Sequence, residues 1–419
     1  MKPYAWIPTL YFAEALPYMA VMTLSVIMYT NLGLTNTELA LYTSWLYLPW
    51  VVKPLWSPIV DQLRAKRWWI LAMEVLMGAA LAGVALSLPM ALWLRLSLAF
   101  FWLMAFSSAT HDIAADGFYI ISLSQEAQAL YVGIRSTFYR IGSIFCQGIL
   151  VMVAGWLESR YSVSVAWSIT MLLMAALMVG LAGWHAVALP HSEERSAKSE
   201  ESDNPFISTL RAFFQKPHVW AALLFMLLFR LPEAQLAKMA QPFMLRATAE
   251  GGLELGTATV GFAYGTLGVI GLLAGGIVGG WLVSRHGLRR WLWPMALALT
   301  LPNAVYLFLA AYMPSNIWVH ASCLAVKSIG LGFGTTAYAV CMLSFSRDES
   351  GELQPERFAV CSSVSFLVVL LATFFAGYLQ EWLGYYRFFW LVLGCSLFTW
   401  VSVFFVRVDA SAGRKDVGH

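Results

Sequence analysis

Charge is scarce in this chain, and so are the patterns on which soluble catalysis is built. Asp, Glu, Lys and Arg make up 12% of its 419 residues, against about 25% in soluble domains, which excludes an ordinary globular enzyme. The net charge is only +3 and no basic run accompanies it, so nucleic acid is not expected as a partner. Five cysteines (Cys146, Cys323, Cys341, Cys361 and Cys395) lie in apolar segments without CxxC or Cys/His spacing. They read as helix-packing residues, not as metal ligands or disulfides. Phosphate-binding loops, nucleophile elbows and metal-ligand clusters are all missing, so no enzyme activity, cofactor or resident metal is expected.

Apolar length is what the chain has. It is 60% hydrophobic, and a helix crossing a bilayer core needs about 20 apolar residues. Spans are expected at 5–31, 38–60, 68–90, 93–122, 131–156, 164–188, 218–246, 257–284, 290–312, 317–345, 358–379 and 385–407. The first reads as a membrane helix and not a cleaved signal, because it is long, lacks a small-residue cleavage site and contains Glu14. The polar stretch His191–Asn204 is rich in charge and reads as a linker. The fold class expected is therefore an all-α integral membrane protein of 12 transmembrane helices. Its halves would be 1–188 and 218–407, with a cytoplasmic linker at 189–217 and a tail at 408–419.

Lys and Arg in the loops number sixteen on the side of the termini, against Arg95, Arg160, Arg246 and Arg387 opposite. The positive-inside rule then puts both termini in the cytoplasm. The halves also repeat. After helix 2 the chain reads Trp56-Ser-Pro-Ile-Val-Asp61-Gln-Leu-Arg64-Ala-Lys66-Arg67, and after helix 8 Gly279-Gly-Trp-Leu-Val-Ser-Arg285-His-Gly-Leu-Arg289-Arg290. A tight turn and a basic cluster at the same point of two six-helix units match the layout of the major facilitator superfamily. Asp61, Arg64, Arg67, Arg285 and Arg289 are the expected cytoplasmic gate.

A charge inside the bilayer is expensive and so a functional hypothesis by default. Helix 4 is the richest segment. Asp112 and Asp116 are one turn apart on one face that Tyr119 continues, and crowded carboxylates in low dielectric favour holding a proton. With Glu14 on helix 1 and His111, they are the candidate proton-coupling groups. A permanent pairing of the two Asp with Arg135 or Arg140 on helix 5 is the structural alternative. Lys53, Arg135, Arg140, Arg230, Glu233 and Lys327 are candidate substrate contacts, with Tyr119, Tyr139, Trp45 and Trp50 as aromatic ones. Arg230 and Glu233 flank Pro232, suggesting either a local ion pair at a gate or a break exposing backbone. Glu74 is read as structural, and Lys238 as snorkelling toward the outer surface. Six intramembrane bases against five acids favour a carboxylate-bearing small molecule.

At Lys53-Pro-Leu-Trp-Ser-Pro-Ile-Val-Asp61, Ser107-Ser-Ala-Thr-His-Asp112-Ile-Ala-Ala-Asp116, Tyr139-Arg140-Ile-Gly142 and Gly332-Phe-Gly334, the chain resembles the muropeptide permease (AmpG-like) branch of that superfamily. The resemblance implies a proton-driven symporter of the bacterial inner membrane, importing peptidoglycan-derived muropeptides or amino sugars by alternating access. It also implies that Asp112 and Asp116 matter for transport with Arg140 facing them, and a monomer is expected in the lipid bilayer. The same branch is similar to importers of ferric siderophores, which leaves that second cargo open.

Overall fold

A computed structural model describes residues 3–190, 219–347, 355–406, 408 and 413. Its regular elements are helices. The first half carries α1 (Pro3–Asn31), α2 (36–63), α3 (Lys66–Ser87), α4 (Trp93–Ser122), α5 (125–158) and α6 (Val163–Ala188). The second carries α7 (Val219–Leu245), α8 (Thr257–His286), α9 (Leu288–Tyr312), α10 (Ile317–Phe345), α11 (355–383) and α12 (385–405). Among the described residues, nine helical stretches are long and apolar enough to cross a membrane. Dividing the last at Gly384 gives ten, and the more charged α2 and α4 bring the number to twelve.

Local chemistry explains where these helices start and break. Thr35 and Glu38 form a capping box that opens α2, the Thr35 amide donating to Glu38 Oε2 at 3.0 Å, which satisfies donors that would otherwise be orphaned. In α1 a π-helical turn at Ala20–Leu24 follows Pro17, whose ring nitrogen cannot donate. The helical run of α7 breaks at Arg230 and restarts at Leu231, with Pro232 in the first turn, where a missing N–H costs nothing. Gly384, at φ 73° and ψ 161°, turns α11 into α12 in a conformation that glycine adopts without strain.

The helices form two compact units: Met1–Leu34, Val52–Glu201 and Gly256–Gly265 in the first, Thr35–Val51, Ser202–Leu255 and Thr266–His419 in the second. Segments 35–51 and 256–265 are thus each grouped with helices from the other half of the sequence. Unit 1 packs around Trp6, Tyr11, Ile70, Ile113 and Phe118. Unit 2 packs around Phe225, Phe229, Met295, Leu299 and Tyr338.

Small residues and polar caps seat the exchanged segments. In unit 2, α11 meets α2 so closely at Gly377 that a Cβ there would lie 2.0 Å from the Asn36 carbonyl oxygen. The Asn36 amide donates to Gln380 Oε1 at 2.5 Å and to the Tyr385 hydroxyl at 2.8 Å, and the Thr37 hydroxyl donates to Glu381 at 2.6 Å. In unit 1, Thr257 at the start of α8 donates to Glu158 Oε2 at 2.5 Å and accepts from Asn31 at 2.7 Å.

Candidate functional site

Unit 1 gathers five charged side chains from four helices. Glu14 and Tyr11 come from α1, Lys53 from α2, Asp112 and Asp116 from α4, and Arg135 from α5. The α1–α5 approach that makes this possible runs through Gly142, where an added Cβ would lie 2.8 Å from the Phe12 carbonyl oxygen and 2.9 Å from Ala15. Lys53 Nζ is ion-paired with Asp112 Oδ2. Arg135 is ion-paired with Asp116 Oδ1 at 2.5 Å, and the Tyr11 hydroxyl donates to the same oxygen at 3.5 Å. The Arg135 guanidinium lies 4.3 Å from the Tyr11 ring centroid and 5.5 Å from that of Tyr119. Tyr119 itself donates to the Gln128 carbonyl at 2.5 Å.

Glu14 is the odd member. It is buried, adjacent to Asp112, and among the described residues its Oε2 has no hydrogen-bond partner. Three carboxyls therefore face two cations, and an uncompensated buried charge is costly. The two Asp–cation pairs keep about a quarter to two-fifths of the carboxylate side-chain surface open (23% for Asp112, 39% for Asp116).

The arginine that meets the helix-4 acids is Arg135. Arg140, expected to face them, forms no ion pair among the described residues, and Tyr139 packs against the unit 1 core. His111 is turned away from the cluster. Its Nε2 lies 3.3 Å from Glu74 Oε1, which His185 Nδ1 meets at 2.7 Å, and His185 Nε2 is 2.9 Å from the Thr9 hydroxyl. All three side chains of the Glu74–His111–His185 group are fully buried. The reason is rotation: His111 sits about 100° round the helix from Asp112, enough to point it at α3 and α6. A proton-relay role beside the two Asp is therefore corrected to a structural one. His185 escaped the sequence reading, although an imidazole in an apolar span was itself a signal.

Unit 2 has its own charges. Glu233 on α7 pairs with Lys327 on α10, both buried. Arg230 instead donates to Ser365 Oγ at 2.9 Å and lies 5.4 Å from the Tyr338 ring. The local Arg230–Glu233 ion pair is thus overturned, because the helix break at Arg230 separates their directions. Lys238 is not snorkelling: it is buried and donates to Thr43 Oγ1 at 2.6 Å. Trp50 is buried, with its ring 6.3 Å from Phe366, and Trp45 packs edge-on against Phe374 at 6.0 Å. Both read as packing residues of unit 2.

A sequence model of the Major Facilitator Superfamily matches residues 9–354. The chain belongs to that family. It is 25% identical over 345 residues to an anhydromuropeptide permease of Escherichia coli (strain K12), covering 81% of this chain and 67% of that protein. It is 26% identical over 361 residues to "Putative transporter AmpG 4" of Rickettsia conorii, covering 82% and 81%. Among solved structures, the nucleoside transporter NupG superposes with a TM-score of 0.71 at 14% identity, over 98% of this chain and all of that one. The D-xylose-proton symporter gives 0.69 at 10% identity, over 98% and 97%. The fold is that of a facilitator-type transporter, and the sequence relatives are of the muropeptide permease branch, so the protein is a multi-pass membrane transporter.

The expected gate residues are placed unevenly. Arg67 donates to the Ala186 carbonyl at 2.5 Å and the Leu189 carbonyl at 3.3 Å, where the end of α6 leaves acceptors open. Arg64 lies 5.8 Å from the Trp68 ring and Arg285 4.8 Å from that of Trp281, while Arg289 is exposed. The Asp61 side chain lies outside the described residues.

Proposed function

We propose that this protein is a proton-coupled importer of anhydromuropeptide-type cargo, working by alternating access in the bacterial inner membrane, with both termini cytoplasmic. The observation that carries the proton coupling is the cluster of Glu14, Asp112 and Asp116 against only Lys53 and Arg135. One carboxyl is left without a cation, and a proton is the smallest ion that balances it. Taking up a proton from one side and releasing it to the other would change the number of intact ion pairs between α2, α4 and α5. Such a change is what a bistable transporter needs to favour one state over the other.

The driving force is adequate. A potential of 100 mV supplies about 2.3 kcal/mol per charge moved, and about 1.4 kcal/mol is a factor of ten. One proton can therefore concentrate a neutral cargo about fifty-fold, and each carboxylate charge on the cargo calls for one further proton to keep that factor. The cargo class rests on the sequence relatives named above, which give the siderophore reading no support. The test is uptake of labelled anhydromuropeptide into proteoliposomes under an imposed proton gradient. Uptake that needs the gradient and disappears with Asp112→Asn supports the reading; full uptake without a gradient overturns the coupling.

A further inference from the structure

We propose that Lys238 is a carboxylate-binding subsite for cargo, capped by Thr43 while segment 35–51 of α2 is seated in unit 2. This rests on the transport reading above and adds to it the charged group of the cargo that the protein holds.

The argument begins with the intramembrane cations. Lys53, Arg135 and Lys327 each have a carboxylate partner within the protein. Arg230 is engaged by Ser365 and the Tyr338 ring. Arg140 also forms no ion pair among the described residues, but it is only half-buried; Lys238 differs in being buried. Its side chain is 4% exposed, and among the described residues no carboxylate lies near enough to offset that burial. Among the described residues its three N–H donors find one acceptor, Thr43 Oγ1 at 2.6 Å, with the Tyr47 ring centroid 5.7 Å away. An ammonium taken out of water without an anion is unfavourable, and such residues in membrane spans mark ligand and ion paths.

The surroundings suit a carboxylate. Thr43 donates its own proton to the Leu39 carbonyl at 2.6 Å, so only its lone pairs face Lys238. Thr43 thereby supplies the oxygen that a cargo carboxylate would supply. One turn earlier on α7, Gln235 is buried and among the described residues its Oε1 has no partner. Residues three apart share a helical face, so the Gln235 amide N–H would be the second donor, to the other carboxylate oxygen. A single ammonium with an amide beside it matches the one charge and two oxygens of a carboxylate, where a phosphate is met best by several donors or an arginine fork.

The cap is an exchanged segment. Thr43 and Tyr47 belong to residues 35–51, the part of the first half that packs in unit 2. When that segment withdraws, Thr43 leaves and the ammonium is uncovered for cargo. When it returns, the hydroxyl takes the place of the carboxylate and the cargo is handed on.

The experiment measures the affinity of the purified full chain for a labelled anhydromuropeptide and for the same compound with its carboxylates amidated. The wild type should prefer the acid by about tenfold or more. Lys238→Gln should erase that preference while leaving affinity for the amidated compound unchanged, and Lys238→Arg should keep most of it. Equal affinity of the wild type for both compounds overturns the subsite, whether or not any variant folds. So does an equal loss for both compounds in Lys238→Gln, which would make the lysine a structural or proton-carrying group. Binding of neither compound would instead sink the cargo reading itself, and the subsite with it.

Discussion

Arg135 lies in the cleft between Tyr11 and Tyr119 and holds Asp116 at 2.5 Å. Through one guanidinium, α1, α4 and α5 share a single polar contact whose strength depends on whether Asp116 carries a charge.

Asp116→Asn keeps the shape of that contact and removes its charge. Gradient-driven uptake should fall by tenfold or more, roughly the worth of a charged hydrogen bond, with the protein still monodisperse in detergent. Wild-type uptake by this variant would show that Asp116 has no part in coupling. Asp112→Asn should behave likewise, because it leaves Lys53 without its anion.

A separate expectation concerns Glu74, which serves two histidines at once. Glu74→Gln leaves His111 and His185 facing a neutral amide in a fully buried place. Leaving a buried hydrogen-bonding group short of its partner costs about 1–3 kcal/mol, so the thermal midpoint should drop. Cargo affinity of the folded fraction should stay at the wild-type value; a selective loss of affinity with an unchanged midpoint would move the network into the transport site.

Glu233 and Lys327 offer a double-mutant test. Glu233→Gln or Lys327→Met alone strands one buried charge and should destabilise unit 2 strongly. The double variant should recover part of the loss, as replaced buried pairs often do. Additive losses, read from thermal unfolding, would mean that the two side chains do not interact.

Gly377 permits α11 to touch α2. Gly377→Val should push segment 35–51 out of unit 2, since its Cβ would fall 2.0 Å from a backbone oxygen. Single cysteines at Thr37 and Glu381, normally joined by two hydrogen bonds, should cross-link readily in the parent and poorly in the valine variant. Equal cross-linking would mean that the helices accommodate the extra bulk.

Outside the membrane, Glu254 gives a pH prediction. The Thr248 amide and hydroxyl donate to its carboxylate at 3.2 and 3.0 Å and hold it below the usual carboxylate range. A depressed folded value contributes order above the unfolded value and loses it as pH falls through the folded one. Protection of the Thr248 amide from hydrogen exchange should therefore weaken on acidification, and Glu254→Gln should flatten that dependence.

The helices were legible in the sequence because a bilayer imposes a length on every apolar run, and the broken α7 was announced by Pro232. The residues of the unit 1 cluster were legible too, since charge inside an apolar span is conspicuous. Partner choice was legible only in part: Arg135 was one of two arginines weighed for the Asp pair and does meet Asp116, whereas the partners of His111, Glu233 and Lys238 were not foreseen. Partner choice depends on helix rotation and approach, which spacing along one helix does not contain. His111 was drawn to the Asp pair by adjacency in sequence, yet it faces Glu74. Lys238 resembled a surface-seeking lysine until Thr43, 195 positions earlier, closed over it.

The Glu74 network has a mechanical meaning. By tying α3 to α4, α6 and, through Thr9, α1, it works as a keystone set in an arch of four helices. The keystone leaves out α2 and α5, which carry Lys53 and Arg135 and lie next in sequence or contact to the exchanged segments 35–51 and 256–265.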